Sequence, residues 1–271
     1  MRIPFDTHTH TTISDGSGSP GEMFAAAAAA GASVVAVTDH LDMDVHLSDN
    51  RGDMSGAGDA GAYERLAEAK RGNRAAVKAL IGVELGQAHR FPEEAGEWLD
   101  GHAYDFVLGS CHAVRGYEDF YRLDRRGLDV EAALRRYFGE LLELCEWGKF
   151  DALAHMTYPM RYVGGDIKNH KAAVDAVFRA MIKNEIALEV NTHDIGKRNG
   201  KLSPEFPEIK RYRDLGGRLV TVGSDAHRVE AVGNGVSAGI GALLSAGFGE
   251  CAYYEGRKAK FIKIQGGLWK N

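Results

Sequence analysis

Cysteine is scarce in this chain: only Cys111, Cys145 and Cys251 occur among 271 residues. An odd set of three lays out no disulfide framework, which makes a reducing cytoplasm the expected location. A basic excess is also missing, since 33 Lys and Arg stand against 38 Asp and Glu for a net charge of −5. That balance excludes a nucleic-acid surface dominated by basic residues, and no stable nucleic-acid partner is expected. No window approaches the roughly 18 apolar residues of a membrane helix. Met1-Arg2-Ile3-Pro4 reaches polar Asp6 too early for a signal peptide. The Ser-His-Asp order, the nucleophile elbow and the Gly-x-x-x-x-Gly-Lys loop are absent too, so no such catalytic motif competes with the reading below.

What is present is enough apolar residue, 44%, to bury a full core as one α/β domain or two smaller ones. There are also eleven histidines, and their positions are the informative feature. Ile3 to His10 carries His8 and His10 two residues apart, so on an extended strand both imidazoles face one side. Ser19-Pro20-Gly21-Glu22 starts a helix, with Ser19 as N-cap, Pro20 at the first position and Glu22 completing a capping box. Ala25 to Ala30 continues it and Gly31 ends it. Ser33 to Thr38 is then a buried strand that stops at Asp39-His40, a β-α-β beginning that predicts a parallel sheet.

The grammar repeats. A helix over Tyr63 to Ala79 leads to Leu80-Ile81-Gly82-Val83 and Glu84. Tyr104 to Ser110 ends at Cys111-His112. Helical spacing from Val130 to Trp147 precedes Phe150 to Ala154 and His155. A helix from about Lys171 to Lys183 precedes Glu185 to Asn191 and His193. Ser203-Pro204 caps one more helix, closed by Gly216-Gly217, before Arg218 to Gly223 runs into Ser224-Asp225-Ala226-His227. Seven strands therefore each end in His, Asp or Glu. In parallel α/β barrels the C-terminal strand ends converge on the catalytic face, so one barrel-like domain spanning 1–271 is predicted. The tail, helical over Val229 to Phe248 with a short strand at Phe261 to Ile264, is expected to pack on or cap the barrel.

The candidate metal ligands are His8, His10, Asp15, His40, Glu84, His112, His155, Asp225 and His227. Nine donors exceed one four-coordinate ion, which implies two or three ions with a bridging carboxylate. Mixed imidazole and carboxylate ligation suits Zn, Mn or Fe over Mg or Ca. Cys111 reads as a small buried residue on the opposite strand face, and Asp39 as an acceptor that orients a ligand histidine. Closely spaced ions clamp the attacking and leaving oxygens of a phosphoryl group, so phosphoester hydrolysis is expected; the acidic balance and Arg161-Tyr162 after His155 lean towards a small phosphomonoester.

The ordered set Asp6-Thr7-His8-Thr9-His10, Thr38-Asp39-His40, Gly82-Val83-Glu84, Gly109-Ser110-Cys111-His112, Ala154-His155 and Ser224-Asp225-Ala226-His227 resembles the PHP (polymerase and histidinol phosphatase) family over residues 6 to 227. The resemblance implies a distorted (β/α)7 barrel with a trinuclear site. His8, His10, Glu84 and Asp225 would hold one ion. Glu84 would bridge to a second held by His112 and His155, and Asp15, His40 and His227 would hold a third. His155 followed by Arg161-Tyr162, and Asn191-Thr192 followed by Arg198, are similar to the stand-alone histidinol-phosphate phosphatases of that family. Arg161 and Arg198 become phosphate-binding candidates, since guanidinium suits bidentate phosphate contact. His193 departs from the small residue expected after Asn-Thr. With Asp225 and His227 it is a candidate catalytic residue, and the donor of the leaving-group proton stays open among His193, His227 and a third-ion water.

Leu41 to Gly61 reads as a long loop, a lid bringing Asp42, Asp44 and His46 near the metals or a flexible segment. His89, His102 and His170 lie off the pattern as surface or packing residues. Rival readings are a PHP phosphoesterase acting on nucleotides, an amidohydrolase-type C–N hydrolase and a degenerate scaffold. The second would need a bridging lysine where Glu84 stands, and the third would need lost ligands, of which none is missing.

Overall fold

The computed structural model describes residues 3–48, 56–59, 61–197 and 200–264. Seven parallel strands form one sheet in chain order: β1 (Phe5–Asp6), β2 (Val34–Asp42), β3 (Lys78–Gly86), β4 (Phe106–Ser110), β5 (Ala152–Leu153), β6 (Ala187–Asn191) and β7 (Val220–Gly223). Their apolar residues are buried on both faces, as a parallel sheet clad in helices requires. Beyond β1 the chain stays extended and is pinned on two sides. Thr38 N–H donates to Thr9 O at 2.7 Å, while His10 N–H donates to Ala226 O at 2.9 Å and Asp225 N–H to His8 O at 2.8 Å. These bonds bring the first and last strands together and close the barrel around the two histidines.

The cladding helices are α1 (Pro20–Ala29), α2 (Met43–His46), α3 (Ala62–Gly72), α4 (Pro92–Gly101), α5 (Val130–Trp147), α6 (Met160–Val163), α7 (Lys171–Lys183), α8 (Phe206–Asp214) and α9 (Val236–Ala246). The capping box of Ser19 and Glu22 forms as its spacing predicts. α5 buries Leu134, Phe138, Leu141 and Cys145 on one stripe, with Asp129 capping it.

Four local expectations are corrected. α3 ends at Gly72 rather than near Ala79, because the Asn73 side chain accepts from Ala75 N–H and donates to Val77 O, a local turn that outcompetes the helix. Ser203-Pro204 does not cap α8, whose N-cap is Glu205. The Ser203 backbone pairs instead with Asn191 and its hydroxyl meets Thr157. The stretch after His40 is not one long loop: β2 runs on to Asp42 and α2 follows, while residues 49–55 and 60 lie outside the described residues. Val229–Ala246 does have the length and mean hydropathy, 1.2, of a candidate span. In the fold it is a turn at 229–231 followed by α9, whose Gly239 lies against Val190, Thr192 and Val222.

The tail forms an antiparallel hairpin, β8 (Glu250–Glu255) with β9 (Lys258–Lys263). Its turn residue Arg257 reaches Asp151 at 2.6 Å and donates its N–H to Asp105 O. Both partners lie at the entry ends of β4 and β5, so the hairpin closes the floor of the barrel, opposite the strand ends with the histidines.

Candidate metal centre

Glu84, fully buried near the end of β3, is the centre of the polar cluster. Its Oε1 lies 3.0 Å from His112 Nε2 and 2.8 Å from His155 Nε2. Its Oε2 lies 3.1 Å from His8 Nε2, 3.1 Å from His40 Nδ1 and 3.4 Å from His10 Nε2. The parallel register supplies part of this, since His40 pairs directly with Glu84 across β2 and β3. On the other side, the His10 ring stacks between His40 and His227, each centroid 4.2 Å away. Asp225 Oδ1 stands 3.3 Å from His10 Nε2, and Asp15 Oδ1 lies 3.3 Å from His227 Nε2 and 3.7 Å from His40 Nε2. His155 and Asp225 take positive φ values of 22° and 54°, a strained backbone of the kind found at functional sites.

The electrostatics fit divalent cations. Five imidazole nitrogens crowd one carboxylate, three of them on Oε2, which has two lone pairs. His8 Nδ1 lies 2.6 Å from the Glu189 carboxylate, which only accepts, so Nδ1 carries a proton. The Nε2 lone pair then points at Glu84 and at His10 Nε2, only 3.0 Å away. Among the described residues, His40 Nδ1, 3.1 Å from Glu84 Oε2, is buried without a hydrogen-bond partner. A divalent ion satisfies such convergent lone pairs where protons cannot. Among the described residues, the donor sets in this cluster whose atoms all lie within 4.8 Å of one another include His10, Asp15, His40 and His227; His8, His10 and Glu84; His8, His155 and Asp225; and His40, Glu84 and His112. All nine predicted ligands are thereby brought together.

Protons divide unevenly across this cluster. Burial penalises charge on Glu84, but His40, His112, His8 and His155 hold it well below the ordinary carboxylate range. Asp225 is lowered likewise, with His8 the foremost cation acting against burial. Burial would lower His8 and His112, yet Glu189 and Asp225 raise the first and Asp42 and Glu84 the second. His10 is driven down by burial and by its neighbours His227 and His40.

A further layer orients these groups. Glu189, on β6 and fully buried, meets His8 Nδ1 and accepts the His155 N–H at 2.8 Å. It was not foreseen, although a lone acidic residue inside the apolar run Ile186 to Val190 was a visible signal. Asp42 lies 3.0 Å from His112 Nδ1, and a β-carbon on Gly86 would fall 1.7 Å from its Oδ1, so glycine leaves the room it needs. Asp39 does not orient a histidine, as expected, but accepts from Thr11 and Ser14 and fixes the loop that carries Asp15. Asp6 accepts from Ser224 and Gly233, tying β1 to the far end of β7.

The cluster opens into a cleft of about 450 Å³. Arg161 lines it, with Nη2 donating to Asn191 Oδ1 at 2.6 Å and Nη1 to Asp225 Oδ2 at 3.4 Å. Asp194 Oδ2 lies 3.2 Å from its Nε, without forming a hydrogen bond. His193 also lines the cleft, Nδ1 at 3.0 Å from Asp225 O, with the Lys197 ammonium on its Nε2. Arg198 lies outside the described residues. Asp44 and His46 are not among the lining residues: Asp44 is bound to Gln87 and Arg90, and His46 packs on Trp98. Instead the loop between β4 and α5 contributes Asp119, Tyr121 and Arg122, none of which the sequence reading singled out. Cys111 is buried and donates to Ala113 O, while His170 is buried and His89 is paired with Glu140.

Comparison with known proteins gives a consistent picture. The PHP domain model matches residues 6–193. A probable histidinol-phosphatase of Clostridium acetobutylicum is 29% identical over 235 residues, covering 84% of this chain and 88% of the relative. One from Thermotoga maritima is 33% identical over 170 residues, covering 63% and 68%. Among solved structures, histidinol phosphate phosphatase from Lactococcus lactis subsp. lactis, in complex with zinc, L-histidinol and phosphate, superposes with a TM-score of 0.83 at 23% identity. That match covers 95% of this chain and 98% of the other, a shared fold.

Proposed function

The chain belongs to the PHP domain family, and from that premise we propose that it is a metal-dependent phosphomonoester hydrolase converting L-histidinol phosphate and water to L-histidinol and phosphate. The observation that carries the reading is the placement of Arg161, its side chain only 8% exposed, on the same cleft as the imidazole–carboxylate cluster. The names of the relatives support histidinol phosphate as the substrate.

His8, His10, Glu84 and Asp225 would hold one divalent ion, His112 and His155 with Glu84 a second, and Asp15, His40 and His227 a third. Bound there, the ions supply a nucleophilic hydroxide at neutral pH and counter-charge for the phosphoryl oxygens. The protein's own groups do the rest. Arg161, kept in place by Asn191 and Asp225, offers its remaining N–H groups to the phosphate and stabilises the charge that grows in line displacement. Arg198, which lies outside the described residues, is a second guanidinium candidate on the sequence pattern alone. His193 points Nδ1 at Asp225 O and Nε2 at the Lys197 ammonium, so the pair keeps a proton beside the cleft, with Lys197 as its source, for the departing alkoxide.

Phosphate release from histidinol phosphate and from several nucleotide monoesters, measured in parallel on zinc-loaded protein, tests the assignment. Turnover is expected to favour histidinol phosphate, and Arg161→Ala is expected to cut kcat/KM by roughly a hundredfold. Comparable turnover on all substrates, or none on histidinol phosphate, would remove the assigned substrate.

A further inference from the structure

The carboxylates along the cleft are not equivalent once their partners are counted. Asp42 is committed to His112, Asp15 to His40 and His227, and Asp225 to Arg161 and the imidazoles. Asp119 differs. Its Oδ1 accepts the Tyr158 hydroxyl at 2.8 Å and the Tyr121 N–H at 2.9 Å. Among the described residues nothing donates to its Oδ2, and no ion pair joins it to Arg122, which lines the same stretch. Its position is rigid: Phe120 beside it is fully buried against Tyr137, and the Asp119 carbonyl accepts from both Arg122 and Leu123.

Three tyrosines line the cleft together with Asp119. Tyr158 meets Tyr162 edge-on at 5.1 Å, and Tyr162 meets Tyr121 at 5.7 Å. Tyr121 is 67% exposed, a large ring left uncovered at the cleft mouth. Burial and the Asp119 charge push the Tyr158 phenol up, so it stays a donor to Asp119. The same Tyr158 ring has the Arg161 guanidinium 5.9 Å from its centroid. One tyrosine therefore separates an anion-binding end, at Arg161, from an end built of a carboxylate and π faces. Carboxylate plus aromatic rings is the chemistry that holds an organic cation.

We propose that Asp119, with the faces of Tyr121, Tyr158 and Tyr162, is the subsite for a positively charged nitrogen on the alcohol part of the phosphomonoester, and so a specificity-determining residue. The inference rests on the phosphatase reading above, and it identifies what in this cleft distinguishes an amino-alcohol phosphate from a neutral one.

The test compares wild type with Asp119→Asn, zinc-loaded, on histidinol phosphate and p-nitrophenyl phosphate, and titrates L-histidinol calorimetrically into both. The ratio of kcat/KM for the two esters is expected to fall about tenfold or more in the variant, mainly through KM, as loss of a charge-assisted contact implies. L-Histidinol is expected to bind about tenfold more weakly. A ratio and an affinity both within twofold of wild type would overturn the subsite while leaving the phosphatase reading intact. Wild type that ignores histidinol phosphate yet binds L-histidinol through Asp119 would do the reverse. Tyr121→Ala, at an exposed ring, is the second variant should Asp119→Asn fold poorly. It is expected to lower the same ratio, and an unchanged ratio counts against the subsite.

Discussion

A histidine in this cluster has one nitrogen to give, and the residue behind it decides which. Glu189 takes the Nδ1 side of His8 and Asp42 that of His112, which turns both Nε2 lone pairs toward Glu84. Protons compete for the same lone pairs. At His227 burial works against the imidazolium, but the Asp15 hydrogen bond and the Asp225 charge push its pKa up to about 9. A ligand imidazole must be neutral, so below about pH 9 an incoming ion has to displace that proton. Metal binding is therefore expected to release protons and to weaken as pH falls from about 9, by up to roughly tenfold per unit for each proton lost. Zinc titrations in buffers of different ionisation enthalpy measure the number released. Zinc uptake at pH 7 with no proton release would contradict the assignment of His227 as a ligand.

At the scale of elements, the barrel has one seam to close. β1 supplies only two residues to the sheet, and Asp6 holds the seam by accepting from Ser224 N–H at 2.9 Å, Ser224 Oγ at 2.5 Å and Gly233 N–H at 2.8 Å. Every partner is a donor, so an amide nitrogen in place of one oxygen faces donors with a donor. Asp6→Asn is expected to cost roughly 1–3 kcal/mol, read as a lower urea midpoint; an unchanged midpoint would show that the seam is held by the backbone bonds alone. The approach is tight, since a β-carbon on Gly223 would lie 2.3 Å from the His8 β-carbon.

This level also sorts what could be read in advance. α5 and α7 were legible because an apolar stripe and a terminating strand bound them on both sides. Ends set by side-chain turns, as at Asn73, were not, because propensity continues through them. α4 and β8 were missed, as a mixed Glu-Gly-Trp segment and a tyrosine-rich one show no clean period. The strand-end histidines and carboxylates could be read from order alone, whereas Glu189 and Asp119 depend on which chain segments the fold brings together.

For the whole molecule, the arrangement is a conflict that bound ions resolve. The cluster is buried at the strand ends, where charge is costly without compensation. Its side chains come from beyond β1 (His8, His10), from within β2 and β3 (His40, Glu84) and from beyond β4, β5 and β7 (His112, His155, Asp225, His227), so binding there couples to global rather than local stability. A ligand that binds only the folded chain adds RT ln(1 + [L]/Kd), about 2.7 kcal/mol at a hundredfold excess over Kd. In a protein of this size that corresponds to a rise in melting temperature of roughly 5–10 °C. Chelator-stripped protein is expected to melt that much lower than zinc-loaded protein at pH 7.5. The gap should narrow toward pH 5, where protons displace zinc from the imidazoles. Glu84→Gln removes the bridging charge, and its melting temperature is expected to respond only weakly to zinc. An equal zinc shift in wild type and Glu84→Gln would mean that the ion binds elsewhere, and the cluster around Glu84 would need another explanation.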